Sequence, residues 1–156
     1  AYTRRAGFEV YGKDGERLTD HWANGMKTLH GFYSHGFPNC FHLGITQNTL
    51  TPNFPHMLEE QARHVAEVVR EANLRQAQEI EPSAQAEADW CETIVKSAIN
   101  NLQFRMDCTP GYYNGEGTAG KGAGLFDGLY GPGSDAFFAL ARQWRETGTL
   151  PGLELR

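Results

Sequence analysis

The segments able to form strands in this chain are too few and too short to make a sheet of their own. Phe8-Glu9-Val10-Tyr11, Met26 to His30, Phe32-Tyr33 and Cys40-Phe41-His42-Leu43 have strand-like character. Gly12-Lys13-Asp14-Gly15, Gly31 and Gly36-Phe37-Pro38-Asn39 divide them as turns. Beyond Gly44 a polar loop with Pro52 and Pro55 leads into a helical period. Leu58, Ala62, Val65, Val69 and Ala72 recur at steps of three or four from about His56 to Leu74, with Glu and Arg on the opposite face. One strand-loop-helix unit with no visible pairing partners reads as the closing part of an α/β sheet whose other strands lie upstream.

The rest of the chain is mostly helix and loop. Leu18 to Ala23 predicts one or two helical turns, stopped by Asn24-Gly25. A polar connection, Arg75 to Glu81, leads to a second long helix after Pro82. Ser83 is its N-cap, and Trp90 or Cys91, Ile94, Val95, Ala98 and Leu102 lie on one side. A third begins after Ser134 and runs to about Thr147, with Phe137, Leu140, Ala141 and Trp144 on one face and Gly148 as the stop. Glycines concentrate between Gly111 and Gly133, so that stretch reads as loop, and Leu150-Pro151-Gly152-Leu153 reads as a docked arm.

Charge and cysteine usage exclude several functions. Net charge is −5 and no basic run exceeds Arg4-Arg5, which makes nucleic acid and anionic membrane poor partners. No stretch approaches the ~20 apolar residues that span a bilayer, and no signal-peptide pattern is present. The 3 cysteines, Cys40, Cys91 and Cys108, are widely spaced without C-x-x-C, as expected of a reduced cytoplasmic protein rather than a disulfide framework or zinc site. The opening Ala1-Tyr2-Thr3-Arg4-Arg5 lacks Met, which adds to the expectation of a piece of a longer polypeptide.

Gly115-Glu116-Gly117-Thr118-Ala119-Gly120 matches G-x-G-x-x-G, and with Lys121 it approaches a P-loop. Such glycines bind phosphate only between a buried strand and a helix start. Here Cys108 to Asn114 contains no apolar strand and more glycine follows, so the match is a decoy. The 6 histidines fall between His21 and His64, with no H-x-x-x-H and no carboxylate between Asp20 and Glu59, so a metal centre is not expected. There is no G-x-S-x-G. Glu59-Glu60 stand at a helix start, where acidic residues are ordinary.

The segment from His35 to Met57 is more informative. A ligand at the end of its strand would meet the loop backbone and the first N–H groups of the helix. Gln47, Asn48, Thr51 and Asn53 can hydrogen-bond the edge of a heterocycle or ribityl hydroxyls, and Phe54 can pack on a flat ring. The competing reading is an ordinary Asn/Thr/Pro connection capped by its own side chains.

In order along the chain, Trp22-Ala23-Asn24-Gly25, Gly31, Gly36-Phe37-Pro38-Asn39-Cys40-Phe41, Gly44, Asn53 and Glu60-Gln61 resemble the C-terminal part of Baeyer–Villiger monooxygenases. Cys108-Thr109-Pro110-Gly111-Tyr112-Tyr113-Asn114-Gly115-Glu116-Gly117 is similar to the branch acting on large cyclic and polycyclic ketones. So are Gly131-Pro132-Gly133, Ala136-Phe137-Phe138, Trp144-Arg145 and Leu150-Pro151-Gly152-Leu153-Glu154. The resemblance implies an α/β C-terminal fragment of a flavoprotein with two dinucleotide-binding domains, one for FAD and one for NADPH. Residues 1–75 would be the last segment of the FAD domain, 76–106 a helical segment, and 107–156 a mobile NADP-lid loop, C-terminal helix and arm.

The same resemblance implies that Gly44, Gln47, Asn48, Thr51, Asn53 and Phe54 border the flavin. Tyr112 falls where some relatives carry a cofactor-contacting Trp. The implied reaction inserts one O2-derived oxygen into a ketone, giving an ester or lactone, with NADPH as reductant and a C4a-peroxyflavin as oxidant. The partners implied are the ketone, O2 and the rest of the same polypeptide. The essential Arg and Asp, the working glycine motifs and the F-x-G-x-x-x-H signature would lie upstream. No catalytic residue is therefore expected here, and the chain alone should be inactive. The alternatives are an N- or S-oxidising flavin monooxygenase and a stand-alone interaction module.

Overall fold

The structure, a computed structural model, describes residues 6–98, 107, 109, 111 and 127–156. Tyr112, the glycine pattern from Gly115 to Lys121, Leu102 and most of the expected lid loop lie outside them. In chain order a 3-10 turn (Lys13–Gly15) precedes α1 (Leu18–His21), α2 (Phe54–Leu74), β1 (Ile80–Pro82), α3 (Ala84–Ser97), α4 (Ser134–Glu146) and β2 (Leu153–Leu155).

The strand-like runs of the first 43 residues do not become strands. They make only isolated antiparallel bridges: Tyr11 with Arg17, Leu29 with Tyr33, and Tyr33 with Phe41. Left-handed backbone at His30 (φ 55°), Gly31 (φ 78°), Gly36 (φ 80°) and Asn39 (φ 58°) turns the chain before a ladder can extend. The strands present among the described residues are elsewhere. β1 and β2 pair antiparallel, with Ile80 opposite Leu155 and Pro82 opposite Leu153. These are the polar connection and the docked arm of the sequence reading, and three residues are too short to show a period.

α2 starts where Asn53 accepts the His56 N–H on its side-chain oxygen at 3.2 Å, with Pro55 in the first turn where a missing N–H costs little. Its inward face is Met57, Gln61, His64, Val68 and Ala72. That stripe sits about one residue before the expected one, and Leu58 is 37% exposed. Two polar side chains occupy positions that hydropathy assigns to apolar ones, because each is satisfied by hydrogen bonds inside the protein. Ser83 caps α3 as expected, accepting the Ala86 N–H at 3.2 Å. α4 begins at Ser134 itself, with Gly133 (φ 96°) before it, and Gly148 (φ 69°) follows its end.

The helices close on a core of Leu29, Phe32, Tyr33, Val68, Ala72, Ile80, Trp90, Ile94, Phe137 and Leu150. The outer corner is pinned by Glu81, whose buried carboxylate accepts Lys13 Nζ (2.8 Å), Arg156 Nη1 (2.9 Å) and the Gly36 N–H (3.3 Å). Burial alone would raise the Glu81 pKa, and these donors outweigh it and hold the group below the usual range.

Candidate functional site

The loop from Gly44 to Phe54 has an inner and an outer side. Gln47 and Asn48 are fully buried. Gln47 takes a left-handed backbone (φ 57°), costly for a residue with a Cβ. Its hydrogen bonds over-determine that conformation. The Gln47 Oε1 accepts Thr28 Oγ1 (2.5 Å) and its Nε2 donates to Met26 O (2.5 Å). The Gln47 carbonyl accepts the Trp90 indole N–H (3.0 Å). Asn48 donates to His30 O (3.1 Å) and accepts the Thr49 N–H (2.9 Å). The Gln47 N–H also donates to Gly128 O (2.8 Å), and the Tyr130 N–H to Asn48 O (2.9 Å). The loop thus pairs with the segment that returns after the glycine-rich stretch.

The remaining expected residues lie toward the outside. Thr51 donates its hydroxyl to Asn53 O (2.8 Å), and Asn53 is the exposed cap of α2. A Cβ built on Gly44 would meet no atom within 4 Å. Phe54 is 46% exposed, and Leu43 (54%), Leu50 (45%) and Leu58 share its exposure. Asn53 and Phe54 are therefore exposed, Gly44 and Thr51 are half-buried, and exposed apolar side chains occur close by in the sequence. The structure directs the side chains of Gln47 and Asn48 inward, where they shape the loop.

Two features were not legible as site residues. Gln61, about two turns into α2, is 1% exposed and reaches both backbone groups of Gly44. Its place in the Glu60-Gln61 motif was the available signal. His64 is stacked between Phe32 (centroids 4.3 Å) and Trp144 (5.4 Å). Arg145 Nη1 donates to His64 Nδ1 at 3.0 Å, so the neutral ring carries its proton on Nε2 and donates to the Tyr33 hydroxyl oxygen at 2.7 Å. Burial, then the Arg145 charge, then His30, lower the His64 pKa to about 3. The small cavity beside it, about 10 Å³, has room for a single water and no organic ligand. Among the described residues no His, Cys, Asp and Glu group is arranged to hold a metal ion, and no helix is long and apolar enough to cross a membrane.

No protein-family model matches the chain. Pentalenolactone D synthase of Streptomyces exfoliatus is 46% identical over 155 residues, covering 99% of this chain and 26% of that protein. Baeyer-Villiger monooxygenase 4 of Dietzia sp. is 36% identical over 147 residues, covering 94% and 24% respectively. The polycyclic ketone monooxygenase from the thermophilic fungus Thermothelomyces thermophila superimposes with a TM-score of 0.86 at 29% identity, over 99% of this chain and 25% of that one. The chain spans about a quarter of the length of the curated relatives it matches. Nearly all of it aligns in each case, and the backbone follows the same course. Over nearly its whole length the chain is thus similar to Baeyer–Villiger monooxygenases, matching about a quarter of the length of each.

Proposed function

We propose that this chain is the C-terminal part of an FAD- and NADPH-dependent monooxygenase that inserts one oxygen atom of O2 into a ketone, giving an ester or lactone. The observation that carries the reading is the continuous 46% identity over 155 residues, joined to a shared backbone course at TM-score 0.86. Polycyclic ketones are the first substrates to try, because the name of that structural relative specifies them.

The outer side of the Gly44–Phe54 loop fits the border of a flavin. Its apolar side chains Leu43, Leu50, Phe54 and Leu58 are exposed on this chain, where an aromatic ring system or the rest of the polypeptide would cover them. Gly44 leaves room for close approach, Thr51 and Asn53 supply polar groups, and Phe54 offers a ring for stacking. Bound FAD would supply the oxygen-activating redox chemistry. The residues of this chain hold the loop, exclude water from its apolar side and orient what binds there. Gln47 and Asn48 contribute by fixing the loop from within. Tyr112 is proposed as a contact to NADP, and the loop around it as the element closing over that cofactor.

The test is the full-length protein from the same source. A yellow protein that oxidises NADPH faster with a cyclic ketone, and yields the lactone, supports the reading. A colourless protein, or a flavoprotein indifferent to every ketone and active on amines or sulfides, contradicts it.

A further inference from the structure

One buried polar residue of α2 is not explained by hydropathy. Gln61 occupies the inward face of α2, where a leucine would bury more apolar area and favour the helix equally well. A buried amide costs free energy unless its groups are paired, and here they are. Gln61 Oε1 accepts the Gly44 N–H at 3.1 Å. Gln61 Nε2 donates to Gly44 O at 2.8 Å and to Asn48 Oδ1 at 3.0 Å. One side chain thus holds both backbone groups of Gly44, as a neighbouring strand would, and reaches the loop again at Asn48. Asn53 joins the same helix at its cap. The loop is fixed to α2 at three points, and two of them are Gln61.

We infer that Gln61 is a positioning residue: it sets the height and tilt of the Gly44 peptide, and so the shape of the surface presented to the flavin. It touches no cofactor itself and acts through Gly44 and Asn48. This inference rests on the proposed flavin-edge reading of the loop.

The experiment uses the full-length protein with Gln61→Leu and Gln61→Glu. FAD affinity is read from the fluorescence of flavin released on dilution, the bound-flavin absorption band reports its surroundings, and the thermal midpoint of the flavin-free protein reports the fold. Gln61→Leu should weaken FAD about ten-fold and shift the absorption band when both are read well below the flavin-free midpoint, which itself falls with the three lost hydrogen bonds. In Gln61→Glu the carboxylate accepts from Gly44 but cannot donate to Gly44 O or Asn48 Oδ1. Its FAD affinity should recover as the pH falls and the carboxyl regains a proton. If both variants keep wild-type affinity and absorption at every pH, or lose only thermal stability, Gln61 is a core residue and the inference is wrong. If the wild-type protein holds no flavin at all, the proposed function falls first and takes the inference with it.

Discussion

Gly44 and Gly131 look alike in the sequence and stand in opposite surroundings. A Cβ on Gly44 meets nothing within 4 Å, whereas one on Gly131 would lie 1.5 Å from the Ser97 carbonyl oxygen at the end of α3. In the full-length protein, Gly44→Ala should leave the thermal midpoint unchanged and, on the proposed flavin-edge reading, weaken FAD, because the methyl enters space that no atom of this chain fills. Gly131→Ala should lower the midpoint by about 5 °C or more, since a backbone clash needs the chain to move. Equal midpoints for both variants would contradict the packing of the Gly131 turn on α3. At this scale the sequence was partly legible. Ser83 was readable as a helix cap because a cap is local chemistry, whereas Asn53 was singled out only for its polar side chain and proved to be the cap of α2. Gln61 and His64 were not readable, because what justifies a buried polar group is a partner distant in sequence: Gly44 for one, Tyr33 and Arg145 for the other.

The elements divide by the same rule. α2, α3 and α4 were visible because each carries its own period and terminal signals, although the stripe of α2 was displaced by its buried polar pair. β1 and β2 were invisible, since a three-residue strand exists only through its partner and these partners are far apart in the chain. Glu81 ties that pair to the amino-terminal turn through Lys13 and to the carboxyl terminus through Arg156. Glu81→Leu leaves both cations and the Gly36 N–H without their shared acceptor. The expected loss is about 1–2 kcal/mol, below the figure for a fully buried pair because Lys13 and Arg156 are themselves partly exposed. Glu79→Ala, which removes only an exposed partner of Lys13, should change stability by less than about 0.5 kcal/mol. Denaturant titration of both variants tests the contrast, and equal losses would mean that Glu81 is not the anchor of this corner.

Taken as a whole, the molecule carries three histidines that are neutral in the fold. Burial lowers His30 and His64 to about 3 and His42 to about 4, from the ordinary 6.5. Below pH 6.5 the unfolded chain binds protons that the fold refuses, so stability falls with pH by up to about 1.4 kcal/mol per unit for each such group. Glu81, with its lowered pKa, adds to the loss at still lower pH. His21 acts in the opposite sense. Burial opposes its charge, but Glu87 and Glu16 prevail and raise its pKa, so its contribution is present in acid and lost as pH rises through the raised value. Three groups against one predict a thermal midpoint that drops between pH 6.5 and 4.5, and a flat profile would contradict the burial of these rings.

The exposed Leu43, Leu50, Phe54 and Leu58 lead to a second expectation at this scale. Expressed alone, the chain should self-associate in light scattering, while the full-length protein should not do so through this face. A monodisperse, stable fragment would favour an independent module.

On the proposed reading, the outer side of the Gly44–Phe54 loop is a flavin border. A structure of the full-length protein with FAD bound tests it most directly. Gly44 and Phe54 should then lie in van der Waals contact with the isoalloxazine region, with Gln61 beneath the loop and not touching the cofactor. A flavin seated elsewhere, with Phe54 covered only by protein or facing solvent, would contradict it.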